Sequence, residues 1–383
     1  MSHSKLLNLL NLSTLPSDLP KLLEEPITLL KGADEKDYQI LQKNGLKKIK
    51  DLIEIKNLEK IRQDIDMITL EKLVTTARII KSLSQEEPLG KKVVIAGLDA
   101  AGKTTIIRTI LEPLTYKPGN EKPTPGVDNK QLDLFGFDVN IWDLGGQAIF
   151  RSEYTEKDPE RHFGFTNLFI YVIDIQAPKR FKEAFEYLKR IVAIFKHLEE
   201  EPYCLILIHK SDPDYNQKDI KKRTSEIIEE AKKILSGFNL SFHNTSIYDR
   251  GSLFLAFSRG IRELSLVKQL LIGILTTFLE KIKATYLGLY NKTGICLAET
   301  MAIDELLKNF TINVILGEEL GIFPAEASKL ILSLKDGTFC IIERIDLERE
   351  RFYLAWKGGE NPEALIGPPL IEEIKPWITN FLV

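Results

Sequence analysis

Leucine and isoleucine recur at three- and four-residue steps through the first 88 residues, and strand-like alternation is absent there. This spacing is typical of amphipathic helices, because about 3.6 residues per turn bring such positions onto one face. The stretch SQEEPLGKK then interrupts the pattern with Pro88 and Gly90. We therefore predict a helical first domain over residues 1–88 that ends in a linker.

From Val93 onward, short apolar runs alternate with amphipathic stretches. The runs that predict buried strands are KKVVIAG, VNIWDLGG, NLFIYVIDI, YCLILIHKSD and LSFHNTSI. Intervening stretches such as RFKEAFEYLKRIVAIFKHL have the spacing of helices that bury one face. Apolar strands that alternate with helices favour a mostly parallel sheet covered on both faces, so residues 89–265 are predicted to form an α/β domain.

After residue 266 the order of elements changes. A long apolar helix precedes the strand–turn–strand pattern ATYLGLYNKTGICLAET, and a partly helical stretch follows. The segment DGTFCIIERIDLERERFYLAWKGG alternates like a hairpin, and the chain closes with a helical pattern. These features predict a third, α+β domain over residues 266–383, with an antiparallel sheet flanked by helices.

Composition narrows the class of protein without identifying it. The 383 residues are 44% hydrophobic and 28% charged, with a net charge of −3, so there is no general attraction to nucleic acid or to an anionic membrane. Three widely spaced cysteines imply no disulfide framework and favour a reducing compartment. The N-terminal sequence lacks the features of a secretion signal, and we expect a cytoplasmic protein that is at most peripheral to a membrane.

The first candidate site is GLDAAGKTT, Gly97–Thr105, which matches the phosphate-binding pattern G-x-x-x-x-G-K-[ST] between a strand and a helix. Glycines let such a loop wrap so that its N–H groups and the helix N-terminus hold phosphate oxygens. Lys103 is expected to neutralise the β- and γ-phosphates, and the Thr104 hydroxyl to bind Mg²⁺. The predicted nucleotide contacts in this loop are Asp99, Ala100, Ala101, Gly102, Lys103, Thr104 and Thr105.

Two further segments supply groups for a metal and for a γ-phosphate. In WDLGGQ, Asp143 ends a strand where a carboxylate supports Mg²⁺, and the N–H of Gly146 is free to approach a phosphate. Gln147 both donates and accepts hydrogen bonds, which suits the alignment of an attacking water. In PTPG, Thr124 is expected to bind Mg²⁺ when a γ-phosphate is present.

The sequence LILIHKSD predicts which base is bound. Asp212 follows a buried strand, and its carboxylate can accept from both N1–H and the exocyclic amine of guanine, a donor pair that adenine lacks. The stem of Lys210 can lie across the base while its ammonium reaches the phosphate loop. His209 stands where the usual small-GTPase motif N-K-x-D has asparagine.

These motifs carry a resemblance to two GTPase families. GLDAAGKTT, PTPGVDN and WDLGGQ resemble the Arf-family small GTPases, while the H-K-x-D motif, IWDLGGQAIFRSEY and NTSIYDRGSLFLAFSRGIREL are similar to the Rag/Gtr GTPases. The resemblance implies a P-loop GTPase fold, binding of GTP or GDP with Mg²⁺, and regulation by an activating protein and an exchange factor. It further implies guanine contacts from Ser246 and Ile247, with the Ser246 N–H facing the guanine carbonyl oxygen.

The flanking domains carry weaker resemblances. The order of elements after residue 266 resembles the roadblock/longin-like domain that follows the G domain in Rag/Gtr proteins, which implies a homo- or heterodimer through this domain. The segment that contains Gly32 and NGLKKIKDL resembles a helix-hairpin-helix domain, with Asp34 in place of its second hairpin glycine. An aspartate there would repel DNA phosphates, so an interaction module is favoured over a DNA-binding one. The same segment contains Lys47, Lys48 and Lys50. These lysines either contact an acidic partner or form a solvent-exposed helix face.

The leading hypothesis is a guanine-nucleotide switch that hydrolyses GTP slowly and changes its partners when segments 120–128 and 144–160 are released. No arginine of the chain is assigned to the transition state, although Arg108, Arg151 and Arg161 are candidates. Without one, a rate on the order of 10⁻⁴–10⁻² s⁻¹ is expected. Open alternatives are a nucleotide-binding scaffold without turnover, a nucleic-acid-binding protein gated by the GTPase domain, and an ATP-binding enzyme.

Overall fold

The structure is a computed structural model of the chain. The residues that it describes are 3–16, 18–55, 61, 63–84, 90–113, 115–119, 123–134, 137–300, 305–319, 328–347, 350–358 and 369–381. The predicted linker at Pro88 and the start of the segment 120–128 lie outside the described residues.

The N-terminal part is helical, as predicted. Its α-helices are α1 (His3–Asn8), α2 (Glu35–Lys43) and α3 (Met67–Ser84), and its 3₁₀ turns are Leu19–Glu24, Ile27–Leu29 and Ile49–Leu52.

Asp34 and the nearby lysines have local roles within this helical part. Asp34 is the N-cap of α2: its carboxylate accepts from the N–H of Asp37, and the Asp37 side chain accepts from the N–H of Asp34. Lys48 and Lys50 both pair with Glu24, at 2.8 and 2.7 Å. Two of the three lysines considered for an acidic partner therefore already have one inside the chain.

The middle of the chain folds around a six-stranded sheet of order β2-β3-β1-β4-β5-β6. Its strands are β1 (Lys91–Gly97), β2 (Val127–Leu134), β3 (Phe137–Leu144), β4 (Thr166–Asp174), β5 (Tyr203–His209) and β6 (Leu240–Thr245). All neighbours are parallel except β2, which pairs with β3 in the antiparallel sense. This topology confirms the predicted P-loop α/β class.

The helices of this part cover both faces of the sheet. They are α4 (Lys103–Leu111), α5 (Ala148–Ser152), α6 (Pro159–Phe163), α7 (Phe181–His197), α8 (Gln217–Ile234) and α9 (Arg250–Leu264), with a π-helical turn at Glu153–Lys157 and a 3₁₀ turn at Pro178–Arg180. Because the five parallel strands run in one direction, their carboxyl ends lie along the same edge of the sheet. That edge carries the motifs that the sequence singles out.

The C-terminal part contains a five-stranded antiparallel sheet of order β8-β7-β11-β10-β9. Its elements are α10 (Lys268–Lys281), β7 (Ala284–Asn291), β8 (Cys296–Glu299), α11 (Glu305–Glu319), β9 (Lys329–Ser333), β10 (Phe339–Asp346), β11 (Arg351–Gly358) and α12 (Pro369–Phe381). The predicted hairpin is β10–β11, paired from Phe339 with Gly358 to Asp346 with Arg351. The predicted α+β class is thereby confirmed for this part as well.

Two apolar clusters form the core. Residues that alternate along β1 point to opposite faces of the sheet: Val94 joins the cluster packed under α7 and α8, and Val93 joins the other. The cluster that contains Val93 continues through α9 and α10 to Leu70 and Leu73 of α3 and to the antiparallel sheet. One continuous core thus connects the helical part, the six-stranded sheet and the C-terminal sheet.

Among the described residues, no helix combines the length and the apolar character needed to cross a membrane.

Candidate functional site

The loop between β1 and α4 has a shape that only glycine permits at its two ends. Gly97 and Gly102 have φ values of +149° and +98°. A Cβ on Gly97 would lie 2.4 Å from the Val172 main-chain oxygen, and one on Gly102 would lie 2.6 Å from Cδ2 of His209. The loop therefore wraps closely against β4 and β5, with Ala100 and Ala101 at its turn.

Lys103 lies beneath this loop at the start of α4. Its ammonium donates to the main-chain oxygens of Gly97 at 3.1 Å and Leu98 at 2.8 Å, and the residue is 6% exposed. Burial lowers the pKa of Lys103 to about 8, against the opposing effect of the Asp143 charge. A buried cation under a ring of main-chain groups at a helix N-terminus is an anion-binding arrangement.

Thr104, Thr124 and Asp143 converge beside Lys103. The Thr104 hydroxyl is 2.7 Å from that of Thr124 and donates to Oδ2 of Asp143 at 2.6 Å, while Thr124 lies 3.5 Å from the same oxygen. Asp143 is 1% exposed, burial raises its pKa, and its Oδ1 has no hydrogen-bond partner within the described part of the chain. Two hydroxyls and a carboxylate with a buried unpaired oxygen fit the oxygen ligands of Mg²⁺.

Gly146 lies against the phosphate loop. A Cβ on Gly146 would approach the Asp99 nitrogen to 2.3 Å, so only glycine allows this contact. Gln147 follows as the N-cap residue of α5, is exposed, and makes no capping bond through its side chain. The glutamine is therefore next to the loop and has its amide available.

Tyr154 joins the two segments predicted to move. Its hydroxyl donates to the Gly126 oxygen at 2.6 Å and accepts from the Gly145 N–H at 3.2 Å. The Gly145 N–H also donates to the Gly126 oxygen, at 2.8 Å. Tyr154 is 1% exposed, and burial raises its pKa to about 12, so it remains a donor at neutral pH. The segment after Thr124 and the segment after Asp143 are thus held together.

The residues predicted to read the base meet after β5 and β6. Oδ1 of Asp212 accepts from the Ser246 hydroxyl at 2.5 Å, and Oδ2 accepts from the Gln176 amide at 2.8 Å. The Lys210 ammonium donates to the Ala100 oxygen at 2.8 Å and to Asp174 at 2.7 Å. Lys210 therefore connects the base-reading motif to the phosphate loop, as its sequence position predicts.

His209 replaces an asparagine with a buried ring. Its Nδ1 lies 3.0 Å from the Thr245 hydroxyl, and its ring packs against Gly102 of the phosphate loop. His209 thus connects β5, β6 and the loop by packing as well as by hydrogen bonding.

The two other predicted guanine contacts follow β6. In this structure the Ser246 N–H donates to the Ser252 hydroxyl at 3.0 Å, and Ile247 is a partly buried residue of the core.

Burial of His209 predicts a loss of stability in acid. Burial, followed by the Lys210 charge, lowers the pKa of His209 to about 4, below the usual 6.5. Between these values the unfolded chain binds the proton more readily, so stability falls as pH decreases from 6.5 to 4. His209→Asn should reduce the stability lost between pH 7 and pH 5 by ~2 kcal/mol, as measured by urea unfolding. An unchanged pH dependence would contradict a buried neutral imidazole.

Within the described part of the chain, the recorded contacts of the three arginines considered from the sequence lie outside the phosphate loop. Arg108 pairs with Glu112 at 3.4 Å, Arg151 pairs with Glu183, and the Arg161 main-chain oxygen accepts from Lys92. Arg180, which the sequence analysis missed, does reach the loop and binds Asp99.

Arg180 and Gln176 lie at the site because of the order of strands in the sheet. Both follow β4, which lies directly between β1 and β5. Residues just after the carboxyl end of β4 therefore approach those just after β1 and β5. That adjacency is a property of the topology and leaves no motif in the sequence.

Comparisons with known proteins show which proteins this chain resembles. ADP-ribosylation factor-like protein 3 of Chlamydomonas reinhardtii is 36% identical over 106 residues, which are 28% of this chain and 55% of that protein. ADP-ribosylation factor F of Dictyostelium discoideum is 28% identical over 130 residues, which are 32% of this chain and 60% of that protein. The chain thus spans little more than half the length of these relatives.

A solved structure, the Arl6 (BBS3) small GTPase of Trypanosoma brucei with bound GppNp, aligns with 44% of this chain and 94% of its own, at 17% identity and a TM-score of 0.35. The region that characterises the Gtr1/RagA G proteins matches residues 92–313, more than half of the chain, and extends from β1 into α11. The resemblance to Rag/Gtr and Arf-like GTPases is thereby confirmed. The chain belongs to the Gtr1/RagA G protein family.

Proposed function

We propose that the chain is a regulatory switch that binds GTP or GDP with Mg²⁺ and hydrolyses GTP slowly. The observation that carries this proposal is the convergence of Thr104, Thr124 and Asp143 beside the buried ammonium of Lys103. These groups come from three segments of the chain, and in a small GTPase they contact one metal and one triphosphate. Family membership supports the nucleotide class.

Each residue has a role that its surroundings support. Lys103 and the loop N–H groups hold phosphate oxygens, and Asp212 accepts from guanine while Lys210 keeps the base motif attached to the loop. Thr104, Thr124 and Asp143 would hold Mg²⁺, which would supply positive charge to the β- and γ-phosphates. Gln147 orients the attacking water, and Gly146 allows the main chain to approach the γ-phosphate.

Equilibrium titration of the purified full chain tests this proposal directly. We expect GTP and GDP to bind at least about 10³-fold more tightly than ATP, because adenine cannot satisfy Asp212. Removal of Mg²⁺ with a chelator should weaken GTP binding. Equal affinity for guanosine and adenosine nucleotides, or no binding of either, would overturn the proposal.

Substitution of Gln147 separates a switch from a scaffold without turnover. Gln147→Leu should slow single-turnover GTP hydrolysis by about 10–100-fold and leave GTP affinity within twofold, since the side chain is exposed and orients only water. Gln131→Leu provides the same exchange at an exposed position of β2 and should hydrolyse GTP like the wild type. Wild-type protein that binds GTP without detectable turnover would favour the scaffold.

The remaining partners are part of the same proposal. We propose dimerisation through residues 266–383, on the basis of the resemblance of this part of the chain to a roadblock/longin-like domain; its helices flanking an antiparallel sheet support that resemblance. An activating protein and an exchange factor would control the nucleotide state, and a cytoplasmic location, at most peripheral to a membrane, suits such a switch. The helical N-terminal part is proposed as an interaction module, and the Lys48 and Lys50 pairs with Glu24 do not favour DNA binding.

A further inference from the structure

Four charged side chains form a chain of contacts from the phosphate loop to α5. Arg180 donates from Nη2 to the Asp99 carboxylate at 2.6 Å and from Nη1 to the Asp99 main-chain oxygen at 3.1 Å. Its Nε donates to Glu183 at 3.2 Å, and Glu183 also pairs with Arg151 of α5. The chain of contacts contains two carboxylates and two guanidinium groups, so its charges balance.

These charges lie within electrostatic reach of the phosphate-binding lysine. The Lys103 ammonium donates at 2.8 Å to the main-chain oxygen of Leu98, the residue directly before Asp99. The Asp99 nitrogen is also the atom that a Cβ on Gly146 would approach. Asp99 therefore belongs to the side of the loop that faces the proposed γ-phosphate position.

An unneutralised carboxylate at this place would discriminate between nucleotides. GTP carries one more negative charge than GDP, so a nearby anion repels GTP more strongly. The hydrogen bond from Arg180 lowers the pKa of Asp99, which keeps this carboxyl ionised and paired. Because the two side chains are 36% and 44% exposed, the pair contributes little to folding, and its effect on the local potential matters more.

We propose that Arg180 is a positioning residue that neutralises Asp99 and thereby sets the ratio of affinities for GTP and GDP. The Glu183–Arg151 pair extends this chain of charges to the helix that follows Gln147. The inference rests on the proposed binding of guanine nucleotides. It assigns to Arg180 a role in nucleotide preference rather than in contact with the reacting phosphate.

A pair of substitutions in the full chain tests the inference. Arg180→Gln should weaken binding of the non-hydrolysable analogue GppNHp by about three- to tenfold and change GDP affinity by less than about twofold. Adding Asp99→Asn to Arg180→Gln should restore the wild-type ratio, because no carboxylate then needs neutralisation. Arg180→Lys keeps the charge and should retain most of the ratio. The effect should shrink at high salt, since the pair is partly exposed.

The matched control is Lys189→Gln, which removes a cation from the exposed Lys189–Glu186 pair two to three turns further along α7. This variant should leave both affinities unchanged. If Arg180→Gln changes GppNHp and GDP binding equally, or if Asp99→Asn does not restore the ratio, the inference is wrong while the proposed function stands. If the wild type binds neither nucleotide, the proposed function itself fails.

Discussion

Asp212→Asn is expected to weaken GDP binding by about 10²–10⁴-fold and to create affinity for xanthosine diphosphate. The Asp212 carboxylate accepts one hydrogen bond at each oxygen, from Ser246 and from Gln176, and each oxygen has room for one more. Guanine offers two donors on the edge that faces this acid. An amide replaces one acceptor by a donor, which opposes guanine but matches the carbonyl that xanthine carries at the same edge.

Competition of GDP, XDP and ADP against a fluorescent guanine nucleotide measures this exchange of preference. Asp214→Asn is the matched control, since it makes the same change at an exposed position two residues along the chain. Urea unfolding of Asp212→Asn should be close to that of the wild type, because the Ser246 hydroxyl can accept from the new amide nitrogen while Gln176 still donates to the new amide oxygen. Undiminished GDP affinity in the variant would show that Asp212 does not read the base.

The sequence predicts the apolar strands well, and it fails for one polar and one short strand. Strands β1, β4 and β5 are apolar runs because helices cover both of their faces. Their composition alone therefore predicts them. No sequence pattern predicts β2, whose sequence VDNKQLDL is largely polar, or the short β9. Both lie at a sheet edge, where one neighbour suffices and the polar face remains in solvent, so no strong hydrophobic signal marks them.

The same contrast applies to the site. Lys103, Thr104 and Asp143 could be predicted as candidates because each lies in a short motif whose residues have fixed spacing. Arg180, Gln176 and Tyr154 act on segments far away in sequence, through contacts that depend on which strands are neighbours. No local pattern specifies such contacts, which is why these three contacts are visible only in the fold.

The largest stability effect is expected at a buried ion cluster that joins α9 to the C-terminal sheet. Glu299 of β8 binds Arg262 of α9 and Lys308 of α11, each at 2.7 Å, and all three side chains are at most 10% exposed. Burial raises the pKa of Glu299, but the two cations outweigh it and hold the pKa below its usual value. Glu299→Gln leaves two buried cations without a counter-charge and should cost about 3–5 kcal/mol of unfolding free energy.

Two further variants distinguish the effect of unpaired buried charge from the simple loss of a contact: one in a matched exposed ion pair and one in which all three charges are replaced. Glu350→Gln removes the same charge from the exposed Lys292–Glu350 pair, which lies just beyond the ends of β7 and β11, and should cost less than about 1 kcal/mol in urea unfolding. In the Glu299→Leu, Arg262→Met, Lys308→Met triple variant most of the stability should return, because apolar groups of similar volume replace buried ions without an unpaired charge. A Glu299→Gln protein as stable as the Glu350→Gln protein would mean that water already solvates the cluster, and that the continuous core alone holds α9 against the C-terminal sheet.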